Sequence, residues 1–226
     1  MDNGDQKTLR RQDITFEDKD QALRDDVRTL GTLVGELIRE QGGDELFEFV
    51  ENARLRSIRR RENNELEGEE LAALVEGLDP GMAMQVIRAF STYFQMVNTA
   101  EKVHRIRRRR EYLRDVEGYQ PGGPEDTLIR LKANGMTADE LQDLLNSMRI
   151  EPVFTAHPTE PTRRTILRKE QTIVRHLVDM INPTMTPQEK NAALQNIRLL
   201  VTTGWQNDEH PSEQMTVADE LEHVLF

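Results

Sequence analysis

Cysteine is absent from the 226 residues. Its absence excludes disulfides, thiolate nucleophiles and zinc–thiolate sites, and is compatible with a reducing compartment. Aromatic side chains are scarce, at 5%, so neither a large aromatic core nor a base-stacking platform is expected. No apolar run is long enough to span a bilayer. The start, Met1-Asp2-Asn3-Gly4-Asp5, is polar and no apolar h-region follows, so the chain reads as soluble and cytoplasmic. Glycine-rich phosphate loops and GxGxxG are missing, and nucleotide binding has no support. Basic residues are outnumbered, 30 against 41 acidic, for a net charge of −11 and a pI near 5.0. A field of that sign repels phosphate, so nucleic acid and anionic membranes are poor partners.

What is present is polar for a self-contained globule: 36% hydrophobic, 31% charged, mean hydropathy −0.69. Either the helices are thin-cored, or their apolar surface is buried by something outside the chain. Residues 1–20 read as a flexible polar arm. Residues 21–149 read as a helical region. Leu30, Leu33, Val34, Leu37 and Ile38 form an i, i+3, i+4, i+7, i+8 stripe that Gly42-Gly43 ends. A second stripe holds Leu46, Phe47, Val50 and Ala53, and a third Leu71, Leu74, Val75 and Leu78. Asp79-Pro80 is an N-cap followed by proline at the first helical position. The helix it opens is expected to reach about Tyr112, with Val86, Ile87, Phe90, Phe94, Val97 and Glu101 along one face. Asp115–Asp126 reads as a loop, and Thr137-x-x-Glu140 as a capping box before Leu141, Leu144, Leu145 and Met148.

The texture changes at residue 150. A short β-branched run predicts a strand near residues 152–155, and Pro152, Pro158 and Pro161 argue against helix around it. His157, just before Pro158, therefore sits on extended or turning backbone. A helix is expected from near Thr162 through Ile181, then a linker, Asn182–Pro187. Thr186-Pro187-x-Glu189 is a second capping box, opening a helix through Leu194, Ile197 and Leu200. The tail, from Trp205 to Phe226, is acidic and ends inside an apparent helix with no stop signal. The chain is thus mostly α with one strand.

The chemistry-bearing stretch is Val153-Phe154-Thr155-Ala156-His157-Pro158-Thr159-Glu160-Pro161-Thr162-Arg163-Arg164-Thr165. It reads as a strand, a rigid turn holding one imidazole, and a helix whose first turn holds two arginines. A group just past the C-terminal end of a strand is where (β/α) barrels place reacting residues. Cations in a first helical turn oppose the macrodipole, at about 0.3–1 kcal/mol each. That local conflict points to a remote carboxylate or to a bound anion. From the residues alone, a structural histidine and solvated or salt-bridged arginines stay open beside the catalytic reading. The runs Arg105, Arg107–Arg110 and Arg59–Arg61 read as solvated or salt-bridged helix faces. Asp208, Glu209 and His210, with His157 and Glu160, match no compact metal spacing. Trp205 reads as a packing residue.

The segment Phe154–Glu160, followed by Thr162-Arg163-Arg164-Thr165, resembles the catalytic-histidine signature of phosphoenolpyruvate carboxylases. Leu30–Gly43, Phe90–Phe94 through Asn98–His104, and Gly204–Glu209 resemble other segments of that family in the same order. The resemblance implies the N-terminal helical part of a helix-rich (β/α)8 TIM-type barrel about four times as long as this chain. Residues 150–226 would be the first strand, the histidine loop and the following helices of an incomplete barrel. It also implies conversion of phosphoenolpyruvate and bicarbonate to oxaloacetate and phosphate, through carboxyphosphate and the pyruvate enolate. His157 is then the general base acting on carboxyphosphate, with Arg163 and Arg164 as anion-side support. Mg²⁺ or Mn²⁺ would stabilise the enolate oxygen, held by ligands outside this chain. The expected partners are the remainder of the carboxylase chain and further copies in a homotetramer. After Glu209 the family commonly has a longer, more basic stretch, where this chain goes directly to His210-Pro211. The chain by itself is expected to be inactive. Two alternatives are a helical binding or scaffolding module that keeps the histidine loop for structural reasons, and a small metal-assisted hydrolase.

Overall fold

The computed structural model describes residues 18–61, 65–114, 119–153, 163–207 and 216–225. Among them every regular element is a helix: α1 Asp18–Arg61, α2 Glu65–Glu76, α3 Pro80–Arg114, α4 Pro124–Ala133, α5 Ala138–Ser147, α6 Arg164–Asp179, α7 Pro187–Trp205 and α8 Val217–Leu225. Two compact units divide the chain. The first comprises Met1–His104 and Thr172–Asn207, the second Arg105–Gln171 and Asp208–Phe226.

The first unit has a closed apolar core. Leu30, Leu33, Val34, Leu37 and Ile38 of α1 are all buried, as their helical spacing requires. At Gly43 the backbone takes φ 85°, ψ 171° and breaks α1 into two helical stretches. That conformation is open essentially to glycine alone. Arg39 spans the break, pairing with Asp44 at 3.0 Å and lying 3.9 Å over the Phe47 ring. Beyond it Leu46 and Ala53 are buried. Asp79 caps α3 through Oδ1, which accepts the N–H groups of Gly81 (2.9 Å) and Met82 (3.2 Å).

The buried face of α3 differs from the stripe expected. It consists of Val86, Ala89, Thr92, Met96, Thr99, Ala100 and Val103, whereas Ile87 and Phe94 are exposed. Most of this face is small or polar, and periodicity weighted by large apolar side chains selects another. The buried hydroxyls of Thr92 and Thr99 donate to the carbonyls of Arg88 (2.9 Å) and Gln95 (2.8 Å) in the preceding turn, so neither polar group is orphaned. Ile173 and Leu177 of α6 and Ile197, Val201 and Trp205 of α7 complete the core. Trp205 is therefore a packing residue. Arg198 on α7 reaches back to Glu36, at 2.9 Å, and to Glu40 on α1, and His104 lies 3.5 Å from Asp20.

The second unit is open. Neither α4 nor α5 has a buried residue, and among the described residues of the unit Ile166 is the one buried hydrophobic. The expected loop from Asp115 to Asp126 ends earlier. Pro124 is the first residue of α4, and Glu125 and Asp126 lie in its first turn, where proline and acidic residues favour a helix start. The Thr137 capping box forms as expected. The strand expected near residues 152–155 is not formed in its described part: Pro152 and Val153 have no regular structure. A strand exists only with a hydrogen-bonded neighbour, and none stands beside Glu151–Val153 among the described residues. Phe154 and Thr155 lie outside them.

Candidate functional site

His157 lies outside the described residues, so the sequence alone places it, between α5 and the start of α6. The helix that follows it is described. The Arg163 carbonyl accepts the N–H groups of Ile166 (2.9 Å) and Leu167 (3.1 Å), and the chain turns into α6 at that residue. Arg164 is the first residue of α6, and its Nη2 donates to the Glu222 carbonyl of α8 at 3.1 Å. That carbonyl is one of the last four of α8, which have no intrahelical donor. A guanidinium there meets the negative end of the α8 dipole. The unfavourable position of Arg164 at the positive end of α6 is thereby offset. A guanidinium carries five N–H donors, so one carbonyl leaves donor capacity in hand.

Sequence reasoning passed over two further cations on α6. Arg168 follows Arg164 by four residues and shares its face of the helix. That i, i+4 spacing was the available signal. Lys169 is half-buried, and burial pushes its ammonium below the usual lysine range. Basic residues at 163, 164, 168 and 169 thus gather at the start of α6, immediately after the histidine segment.

Arg108 pairs with Glu111 on its own helix, donates to the Tyr112 hydroxyl at 3.1 Å and lies 5.0 Å from that ring. This is a salt-bridged helix face. Among the described residues no three His, Cys, Asp or Glu side chains come together to hold a metal ion, so a divalent metal is assigned to no described residue. No helix among them is long and apolar enough to cross a membrane.

The fold and this segment define a helical protein part in which a proline-rich histidine motif leads into a cationic helix start. The phosphoenolpyruvate carboxylase family model matches residues 23–226, and the chain belongs to that family. It is 47% identical over 217 residues to the phosphoenolpyruvate carboxylase of Xanthomonas campestris pv. campestris strain 8004, covering 96% of this chain and 24% of the relative. The phosphoenolpyruvate carboxylase of Azorhizobium caulinodans is 39% identical over 92% of this chain and 22% of its own length. For that of Nitrosomonas europaea the values are 38%, 94% and 23%. The chain thus spans about a quarter of the length of the curated relatives it matches, and corresponds to their N-terminal part.

Proposed function

We propose that this chain supplies the catalytic histidine, and part of the anion-binding surface, of an enzyme that carboxylates phosphoenolpyruvate. The observation that carries this reading is the intact Phe154–Glu160 signature within a chain that is 47% identical to a carboxylase along 96% of its length. Bicarbonate oxygen bonds to the phosphorus of phosphoenolpyruvate, and the bond to the enolate oxygen breaks. Carboxyphosphate then gives its proton to the His157 imidazole and separates into CO₂ and phosphate. The enolate carbon adds to CO₂ to form oxaloacetate. Imidazole suits that proton transfer because its ordinary pKa, about 6.5, lies near working pH. Arg163 and Arg164 hold the anionic phosphate side, aided by the N-terminus of α6.

The helical region begins at Asp18, inside the span read as a polar arm, and reaches residue 149, and residues 150–226 are the first strand and helices of a (β/α)8 barrel. Mg²⁺ or Mn²⁺ is bound by residues elsewhere in the enzyme, which is a cytoplasmic homotetramer.

The test is oxaloacetate formation from phosphoenolpyruvate, bicarbonate and Mg²⁺. One sample is the 226-residue chain. The other is a chimera in which this chain replaces the aligned N-terminal part of its 47%-identical relative. The chain alone gives no product and the chimera turns over. His157→Ala in the chimera lowers kcat by about 10²–10⁴-fold, the usual worth of a general base. Undiminished turnover by that variant removes His157 from the chemistry.

A further inference from the structure

Arg164 follows His157 by seven positions and is the first residue of α6. Its Nη2 donates to the Glu222 carbonyl at 3.1 Å, joining α6 to α8 within the second unit. The helix α8 has nine residues, fewer than an isolated helix needs to stand in water. Val217, Leu221 and Leu225 of α8 are all exposed, so little apolar packing helps it. Its two ends are instead held by polar groups. At the start, the Asp219 carboxylate accepts the Thr216 N–H at 2.8 Å and its hydroxyl at 2.7 Å, and the Asp219 N–H donates back to Thr216 Oγ1 at 3.3 Å. The hydroxyl, then the backbone N–H, hold the Asp219 carboxyl below the ordinary aspartate value of 3.8, so this cap is ionised and complete at working pH. At the far end, the Arg164 guanidinium takes up one of the carbonyls that the helix leaves without a donor.

The dependence runs both ways. A guanidinium on a long side chain loses entropy when it is held in one place, and a main-chain carbonyl of α8 is what holds this one. Its remaining donors are then presented at the start of α6, the element that leads out of the histidine segment. We propose that Thr216 and Asp219 are positioning residues for the reaction: by capping α8 they keep the Glu222 carbonyl in place, and through it the Arg164 guanidinium and the first turn of α6. The proposal rests on the carboxylase reading for what Arg164 then holds. Thr216 and Asp219 act through Arg164 and are no part of the histidine signature.

Kinetics of the chimera test the proposal, and amide exchange in the 226-residue chain tests the link beneath it. Loss of a threonine cap shifts a helix equilibrium by on the order of fivefold. Thr216→Ala therefore lowers kcat/KM for phosphoenolpyruvate by about two- to fivefold, and Thr216→Ser, which retains the hydroxyl, restores it. Glu222→Pro, which breaks the last turn of α8, lowers it by on the order of tenfold or more. Thr137→Ala, which removes the corresponding cap of α5, leaves kcat/KM unchanged. In the Arg164→Ala background neither α8 variant adds a further loss, because the carbonyl it disturbs no longer holds anything. Losses that add to that of Arg164→Ala overturn the proposal, as does unchanged kcat/KM in both α8 variants. A loss in Thr137→Ala as large as that in Thr216→Ala does so too, since it reports general loosening of the unit. In the chain alone, Thr216→Ala speeds exchange of the Ile166 and Leu167 amides, which donate to the Arg163 carbonyl, by about two- to fivefold. Unchanged exchange at those two amides overturns the proposal whether or not the chimera turns over. Faster exchange there, with an unsubstituted chimera that yields no oxaloacetate, counts against the carboxylase reading and not against the α8 link, so the two fail separately.

Discussion

Two regions of this chain are built from the same kind of helix and differ in what their apolar faces meet. In the first unit α1, α3, α6 and α7 close on a common core from Leu30 to Trp205. In the second, α5 starts with a capping box and α4 with a proline in its first turn, but neither has a buried residue. Local helix signals are as good in the second as in the first: Thr137 and Thr186 head matching capping boxes. The contrast teaches that capping and periodicity decide where a helix lies, whereas a tertiary partner decides whether its apolar face is buried. It also accounts for the polar composition, because a chain with one closed core and one open unit needs few apolar residues of its own.

The sharpest way to break the comparison is a matched pair of truncations. Ile197 is fully buried in the first unit and Leu145 is exposed in the second. Ile197→Ala removes contacts to α1 and leaves a cavity, at a cost of about 2–5 kcal/mol. Leu145→Ala changes the stability of the chain by no more than about 0.5 kcal/mol. Urea unfolding followed by circular dichroism measures both. Similar costs for the two variants would mean that the second unit has a core of its own.

A smaller effect tests the join inside the first unit. Gly43 turns α1 at φ 85°, and a Cβ built there meets nothing within 4 Å. The penalty of Gly43→Ala is therefore backbone strain and not crowding, about 1–3 kcal/mol. The same urea titration reads it. A neutral result would show that the break at Gly43 relaxes into continuous helix without disturbing the packing of Leu46.

Much of this was legible from the sequence where the signal is local. The Gly42-Gly43 break, the Asp79-Pro80 start and both threonine capping boxes depend on residues within four positions of one another, and all are present. The α3 face was not legible, because its contact is made by Ala89, Thr92, Thr99 and Ala100, which periodicity underweights against Phe94. Nor was α4: Gly122, Gly123 and Pro124 read as loop, while Pro124 already occupies the first turn of the helix. At the site, the Phe154–Glu160 signature and the α6 start were readable. The Arg164 link to the Glu222 carbonyl was not, since it joins residues far apart in the chain.

The smallest expected effect turns on the acid side of the two capping boxes. At α7 the Glu189 carboxylate accepts the Thr186 N–H at 2.7 Å and its hydroxyl at 2.8 Å. At α5 Glu140 does the same for Thr137 at 2.8 and 2.9 Å. The backbone hydrogen bond, then the hydroxyl, hold both carboxyls below the ordinary glutamate value of 4.5. A folded-state value below the unfolded one means stability that is present above pH 4.5 and lost as the pH falls through the lowered value. The two boxes are chemically alike, so any difference in readout comes from what each helix is packed against. The helix α7 carries Ile197 and Trp205 of the core, so Thr186→Ala lowers the stability of the whole first unit, by about 1 kcal/mol for a lost cap. Thr137→Ala frays α5 and leaves that transition where it was. Glu189→Gln, which retains an acceptor but does not titrate, flattens the fall in first-unit stability as the pH drops below 4.5. Glu140→Gln changes only amide exchange within α5. Equal responses of the unfolding midpoint to the two glutamate variants would mean that α5 unfolds together with the core, and that the second unit is less open than its exposed leucines indicate.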